Sequence, residues 1–284
     1  MPDIDKFDAA FFNLSPKEAE LMDPQQRLFL TAVWQAIEDA GYKAQQLSGS
    51  KTGLFVGVAS SDYAELLSRY GENNAWVSTG NAHSILANRV SYLLNIHGPS
   101  EPIDTACSSS LVAIHRAVES IRSHKCDMAI AGGVNAILTP TLNISFSHAG
   151  MLSPEGRCKT FDQSANGYVR GEGVGAIILK PLHMAKDDQD HIYAVIKGSA
   201  ENHGGNAQSL TAPNPTAQKQ LILAAYEDAQ IDPTTVTYIE AHGTATSLGD
   251  PIEIDALKNA FSALYYMKNR DNLFLKHLFV VLAQ

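Results

Sequence analysis

Strand-length apolar segments alternate along this chain with longer segments of helical period, and that alternation constrains the fold more than any other feature. Residues 52–58, 174–179 and 192–196 read as short buried strands, 127–131 and 236–240 as strands, and 103–107 as a strand passing into a turn. Gly132-Gly133 is expected to end the strand at 127–131. Between them, Leu28, Val33, Trp34 and Ile37 recur near helical spacing up to a stop at Gly41, and Leu111, Ile114, Val118 and Ile121 do the same. Ser15-Pro16-Lys17-Glu18 has the residues of a helix start, with Ser as cap and Pro in the first turn, and Asp23-Pro24 offers a second. Residues 85–94, with Asn88 and Arg89 in their middle, and 218–229 predict further helices. Strands separated by crossover helices need apolar cover on both faces, so the pattern predicts an α/β fold.

Composition permits this. Apolar residues make up 45% of the 284, enough for a sizeable core, and charged residues only 18%, below the roughly 25% of an ordinary domain. The net charge of −9 and the lack of any Lys/Arg-rich block argue against a nucleic-acid partner. Cys107, Cys126 and Cys158 form no CxxC pair, which argues against a disulfide scaffold or zinc ribbon and for a reducing, cytoplasmic setting. Residues 1–12 are acidic and lack the basic and apolar regions of a signal peptide. No apolar run approaches the roughly 18 residues a membrane span requires, and Lys276 and His277 interrupt the most apolar stretch, 273–283.

Two residues carry chemistry. Cys107 is placed where a strand meets a helix, and the free N–H groups and positive end of that helix favour thiolate over thiol. Ala106, Ser108 and Ser109 are small enough to admit a substrate carbon. A buried cysteine acting as a small hydrophobe is the alternative there, and is the reading for Cys126 and Cys158. His242 follows a predicted strand in a turn, Glu240-Ala-His-Gly-Thr-Ala-Thr246, just before a helix opened by Gly249-Asp250-Pro251. Its ring can donate to a carbonyl or enolate oxygen, or only bond backbone. The remaining histidines lack metal-ligand spacing. The glycine-rich run 167–175 leads into a strand rather than a helix, which excludes the dinucleotide and P-loop readings and leaves Glu172 as a buried charge in need of a partner.

Taken together, Asp104-Thr-Ala-Cys-Ser-Ser-Ser-Leu111, Phe161-Asp-Gln-Ser-Ala-Asn-Gly-Tyr-Val-Arg-Gly-Glu-Gly173, Glu240 to Thr246 and Leu248-Gly-Asp-Pro-Ile-Glu253 resemble the β-ketoacyl synthases, in particular the ketosynthase domains of modular polyketide synthases. Phe7-Asp-Ala-Ala-Phe-Phe12 and Met22-Asp-Pro-Gln-Gln-Arg27 add to the likeness, which runs from about residue 1 to about 265. The resemblance implies a thiolase-like αβαβα layered fold and a homodimer. It implies a decarboxylative condensation of an acyl thioester with a malonyl-type extender, in polyketide or fatty acid biosynthesis. No cofactor is bound directly; both substrates ride on the phosphopantetheine of acyl carrier protein. By the same resemblance Cys107 is the nucleophile, His242 one of two histidines that assist decarboxylation, Thr244 and Thr246 contacts for the pantetheine arm, and Glu172 a buried support.

The likeness also sets expectations of absence. The family's second histidine follows a Lys-x-Asn-x-Gly-His pattern, whereas this chain reads Lys276-His277-Leu-Phe, and that role is not carried over to His277. The expectation is an incomplete domain, with an N-terminal half at about 1–185, the start of a C-terminal half at 186–265 and a divergent tail at 266–284, as a frameshift near Tyr265 would produce. A catalytically incomplete remnant that only docks is the competing reading. A papain-type Cys–His hydrolase is the third, and neither the Cys-Ser-Ser-Ser context nor the Gly-Thr-Ala-Thr turn suggests it.

Overall fold

The structure is a computed structural model that describes residues 1, 3–72 and 74–271. His277 and most of the tail lie outside the described residues. In chain order the elements are α1 (Pro16–Leu21), α2 (Pro24–Asp39), β1 (Thr52–Gly57), α3 (Asp62–Arg69), α4 (Ala75–Asn81), α5 (His83–Leu94), β2 (Ser100–Ile103), α6 (Ser109–Arg122), β3 (Met128–Asn135), α7 (Thr141–His148), β4 (Gly173–Leu179), α8 (Leu182–Asp187), α9 (Pro215–Ala229) and α10 (Gly249–Asp271). The chain divides into two compact units, Met1–Pro140 with Gly171–Tyr193, and Thr141–Arg170 with the described residues from Ala194 onward.

The first unit is built on a four-stranded sheet in the order β2-β1-β3-β4, with β2, β1 and β3 parallel and β4 antiparallel to β3. Alternate side chains leave a strand on opposite faces. Leu54, Val56 and Ile130 therefore pack on one face with Phe29, Val33 and Ile37 of α2 and Leu86 and Val90 of α5. Phe55, Ala129 and Ala131 pack on the other with Ala113 and Ala117 of α6. Both faces are covered, as the alternation predicts. The helix starts also follow the sequence: Ser15 Oγ accepts the Glu18 N–H at 3.1 Å, and Asp23 Oδ1 accepts the Gln25 N–H at 2.8 Å. Mid-helix Arg89 pairs with Glu18 at 2.6 Å and donates to Gln26 Oε1, fixing α5 to the α1–α2 corner.

Three expectations are corrected. The third strand does not stop at Gly132-Gly133 but runs through both to Asn135, because β4 supplies a full antiparallel ladder opposite them. The segment 174–179 is a strand yet not buried throughout, since Ile177 is 41% exposed. Residues 192–196 and 236–240 are not strands: a strand needs a hydrogen-bonded neighbour, and neither segment forms a ladder among the described residues. Both are also exposed, Tyr193 and Tyr238 most of all.

In the second unit, α9 packs along α10 through Ile222, Ala225, Tyr226 and Ala260. Asn214 caps α9 by accepting the Thr216 and Ala217 N–H groups at 3.0 and 3.2 Å. Leu152 and Tyr168 form a single bridge that folds the loop after α7 back on itself.

Candidate active site

In parallel sheets the loops at the carboxyl ends of the strands collect ligands, and Cys107 lies in the loop between the carboxyl end of β2 and the start of α6. The turn that holds it is tied locally. Asp104 Oδ1 accepts the Ala106 N–H at 3.0 Å, a side-chain turn that leaves Ala106 in the left-handed region at φ 55°. Ser109, buried at the first position of α6, bonds the turn on two sides: its Oγ accepts the Thr105 N–H at 2.9 Å and donates to the Ala106 carbonyl at 2.7 Å. A left-handed alanine is held only where neighbours over-determine it, and these three bonds do so. Cys107 is exposed in the single 3-10 turn Ala106–Ser108 that leads into the fourteen-residue helix α6.

The helix start is seated on the sheet by two glycines, Gly57, which the sequence did not single out, and Gly133, which it suggested only as a strand end. A Cβ on Gly57 would lie 2.5 Å from Ser110 N, and one on Gly133 2.8 Å from Ser110 Cβ. Only bare backbone lets α6 begin this close to β1 and β3. Glu172 stands just before β4, beside the loop that leaves the carboxyl end of β3. It is exposed, not the buried charge expected, because the flanking Gly171 and Gly173 have nothing packed against them. Its carboxylate accepts the Ile137 N–H at 2.9 Å and pairs with the Met1 ammonium. The ammonium first, and then the Ile137 amide, hold its carboxyl below the usual carboxylate range.

His242, Thr244 and Thr246 lie together in the second unit on the loop before α10, and His242 is exposed. That loop contains two left-handed residues, Gly243 at φ 54° and Ala245 at φ 57°. The Thr246 hydroxyl accepts the Gly249 N–H at 3.0 Å and lies 3.2 Å from the Thr244 hydroxyl. Thr160 donates to the Gly243 carbonyl at 2.6 Å, and the Gly167 N–H bonds the Ala245 carbonyl at 2.9 Å. Two buried carboxylates of α10 complete the frame: Asp250 accepts the Phe161 N–H at 2.7 Å, and Glu253 accepts the His242 and Gly243 N–H groups at 2.7 and 2.9 Å. The sequence offered Asp250 and Glu253 as part of a helix start and of a family segment, with no role for either; their spacing of three, which puts both on one face, is the signal that was there.

Cys126 is buried against Ser120, as a small hydrophobe. Cys158 is exposed, and its sulfur accepts the Val169 N–H at 3.2 Å. Among the described residues no helix is long and apolar enough to cross a membrane.

A sheet sandwiched by helices, with a cysteine-bearing turn at the carboxyl edge of its parallel strands, defines an α/β chain of thiolase-like type. The chain belongs to the β-ketoacyl synthase family: residues 1–185 match the model of the β-ketoacyl synthase N-terminal domain and residues 193–273 that of the C-terminal domain. It is a partial ketosynthase domain of the modular polyketide synthase kind. It is 60% identical over 264 residues to the polyketide synthase PksN of Bacillus subtilis, covering 92% of this chain and 5% of that protein. It is 51% identical over 271 residues to the polyketide synthase PksM of the same organism, covering 92% of this chain and 6% of that protein. Among solved structures, the ketosynthase from module 6 of the bacillaene synthase of Bacillus subtilis superposes with a TM-score of 0.87 at 47% identity, over 93% of this chain and 46% of that one. The oxazolomycin ketosynthase domain OzmH KS7 of Streptomyces albus superposes with a TM-score of 0.88 at 43% identity, over 93% and 45%. The chain thus spans just under half the length of the solved ketosynthases it matches.

Proposed function

We propose that the chain supplies the acyl-accepting part of a decarboxylative Claisen condensation. The Cys107 thiolate attacks the carbonyl carbon of an acyl thioester, and the pantetheine thiol leaves. The acyl group stays a thioester and so remains open to a carbanion. A malonyl-type thioester then loses CO2 to leave an enolate, whose carbon attacks the Cys107 thioester and releases the sulfur. The His242 ring donates to the enolate oxygen, and Thr244 and Thr246 contact the pantetheine arm. Glu172 supports the site by steadying the loop at Ile137. Acyl carrier protein is the partner that delivers both thioesters, the site binds no cofactor of its own, and the working form is a cytoplasmic homodimer. The observation that carries this reading is the exposed Cys107, held in a pinned left-handed turn at the start of α6 within a family shown to be that of the ketosynthases.

Intact mass after incubation with a simple acyl thioester tests it. The expected result is one acyl adduct that is absent from Cys107→Ala. The second reading is a chain that docks against a synthase without itself taking up an acyl group. A folded protein that takes up no acyl group would establish that reading and end the first. Rapid release of free acid would point instead to a hydrolase.

A further inference from the structure

We propose that a cavity in the first unit binds a free α-amino acid with an apolar side chain, independently of the acyl chemistry proposed above. The cavity lies where the segment before α1 meets α1, the start of α2, and α3. Its volume of about 550 Å³ falls within the roughly 300–1,000 Å³ of small-molecule sites. Phe7, Leu66 and Leu138 supply apolar wall, and two residues of opposite charge, Arg27 and Asp5, line it with them.

Neither charge is spent within the protein. Arg27 is half-buried, and its Nε is buried without a hydrogen-bond partner. No carboxylate pairs with its guanidinium among the described residues. Two acidic neighbours are engaged elsewhere: Asp23 accepts the backbone and side-chain N–H groups of Gln25 at 2.8 and 3.3 Å, and Glu20 pairs with Lys17 at 3.1 Å. Burial lowers the guanidinium's pKa from its ordinary value, and Tyr63, Asp23 and Asp5 offset part of that. Asp5 is exposed and has no ion pair or hydrogen bond among the described residues. A buried donor left unmade is costly, and the planar fork of arginine suits a carboxylate.

The two charges select the ligand. A simple carboxylate would be repelled by Asp5, and a simple amine by Arg27. A molecule that carries both charges about one carbon answers both: its carboxylate accepts from Arg27, its ammonium donates to Asp5, and its side chain packs on Phe7, Leu66 and Leu138. The walls are already fixed. The Tyr63 hydroxyl donates to the Glu20 carbonyl, which ties α3 to α1, and Asp62 accepts the Leu138 and Thr139 N–H groups at 3.0 and 3.1 Å, which ties α3 to the loop after β3. A site built in advance spends little of its binding energy on ordering itself.

Saturation-transfer NMR titrations of the full chain with phenylalanine, 3-phenylpropanoate and 2-phenylethylamine test this. The three probes share a ring, and the second and third each lack one of the two charges. Phenylalanine is expected to bind at least tenfold more tightly than either, about the factor that one charged hydrogen bond supplies. Arg27→Gln should weaken phenylalanine at least tenfold, and Asp5→Asn should remove its advantage over 3-phenylpropanoate. Asp5 is exposed, so its variant decides even if Arg27→Gln fails to fold. No saturable binding of phenylalanine up to about 10 mM overturns the site. Equal binding of the three probes overturns the amino-acid reading. Unchanged binding of phenylalanine in Asp5→Asn, or in a folded Arg27→Gln, puts the ligand elsewhere and overturns the proposal too.

Discussion

Replacing Gly57 with Ala should disturb the chemistry of Cys107 from one strand away. The added Cβ would lie 2.5 Å from Ser110 N, 2.7 Å from the Ser109 carbonyl carbon and 2.8 Å from Ser110 Cα. Unstrained contacts between carbon atoms lie at about 3.5–4.0 Å, so the first turn of α6 must retreat by about 1 Å. All three atoms are backbone, and none can swing aside as a flexible side chain would. Overpacking of this kind costs about 1–3 kcal/mol. At roughly 2–4 °C per kcal/mol, a loss of about 2 kcal/mol lowers Tm by about 4–8 °C. The retreating turn carries Ser109, and with it the bonds that pin Thr105 and Ala106 around the thiol. A displacement of about 1 Å at a reacting group can reduce its rate by about a hundredfold. Thermal unfolding and the rate of acyl-adduct formation by intact mass measure the two effects. Gly175→Ala is the control, since its Cβ would meet nothing within 4 Å, and should stay within about 0.5 kcal/mol of wild type. A Gly57→Ala protein that unfolds and acylates like wild type, or a control that loses as much, would refute the claim that these glycines seat the helix.

Two further outcomes are expected. Ser109→Ala removes a buried hydroxyl that serves both the Thr105 N–H and the Ala106 carbonyl, so it should cost about 1–3 kcal/mol and slow acylation more than a Ser108→Ala control. Burial, and then the neighbouring Tyr265, push the Tyr226 phenol up to about 12. The folded state then holds a proton that the unfolded chain gives up near pH 10. Stability supplied this way is complete below pH 10 and is lost as pH rises towards 12, by about 2–3 kcal/mol. Tm against pH in Tyr226→Phe should lack that alkaline fall.

Local pattern made the first unit legible, and long-range pairing hid the rest. Ser15 and Asp23 announce α1 and α2 because a capping side chain reaches only two or three residues along the chain. The unbroken apolar run 54–56 reports cover on both sheet faces for the same reason: the period of a strand lies within the strand. Gly132-Gly133 misled because the stop signal of two glycines is local, whereas the ladder that overrides it comes from β4, some forty residues later. Residues 192–196 and 236–240 carry the composition of strands, but composition does not provide a neighbouring strand. Glu172 was misjudged on an assumption of burial, which depends on what covers a residue and not on the residues beside it.

The two loops that bear the proposed chemistry are built alike, each within its own unit. Cys107 and His242 both stand in a turn that leads into a helix of fourteen residues or more. Each turn includes a left-handed residue next to the functional one, Ala106 in the first and Gly243 in the second. A buried polar side chain from the following helix grips the backbone of each: Ser109 holds Thr105 and Ala106, and Glu253 holds His242 and Gly243. Left-handed backbone turns a short loop sharply and costs free energy that the gripping bonds offset. The chemical difference between the two grips follows from what each loop must present. Ser109 takes one amide and returns one proton to a carbonyl, so it adds no charge beside a sulfur proposed to work as an anion. Glu253 takes two amides and brings a charge, beside a ring proposed to act as a hydrogen-bond donor. Exchanging the two devices should therefore fail in both places even where each still fits: a carboxylate at 109 would repel the thiolate, and a serine at 253 would leave one of the two buried amides unpaired.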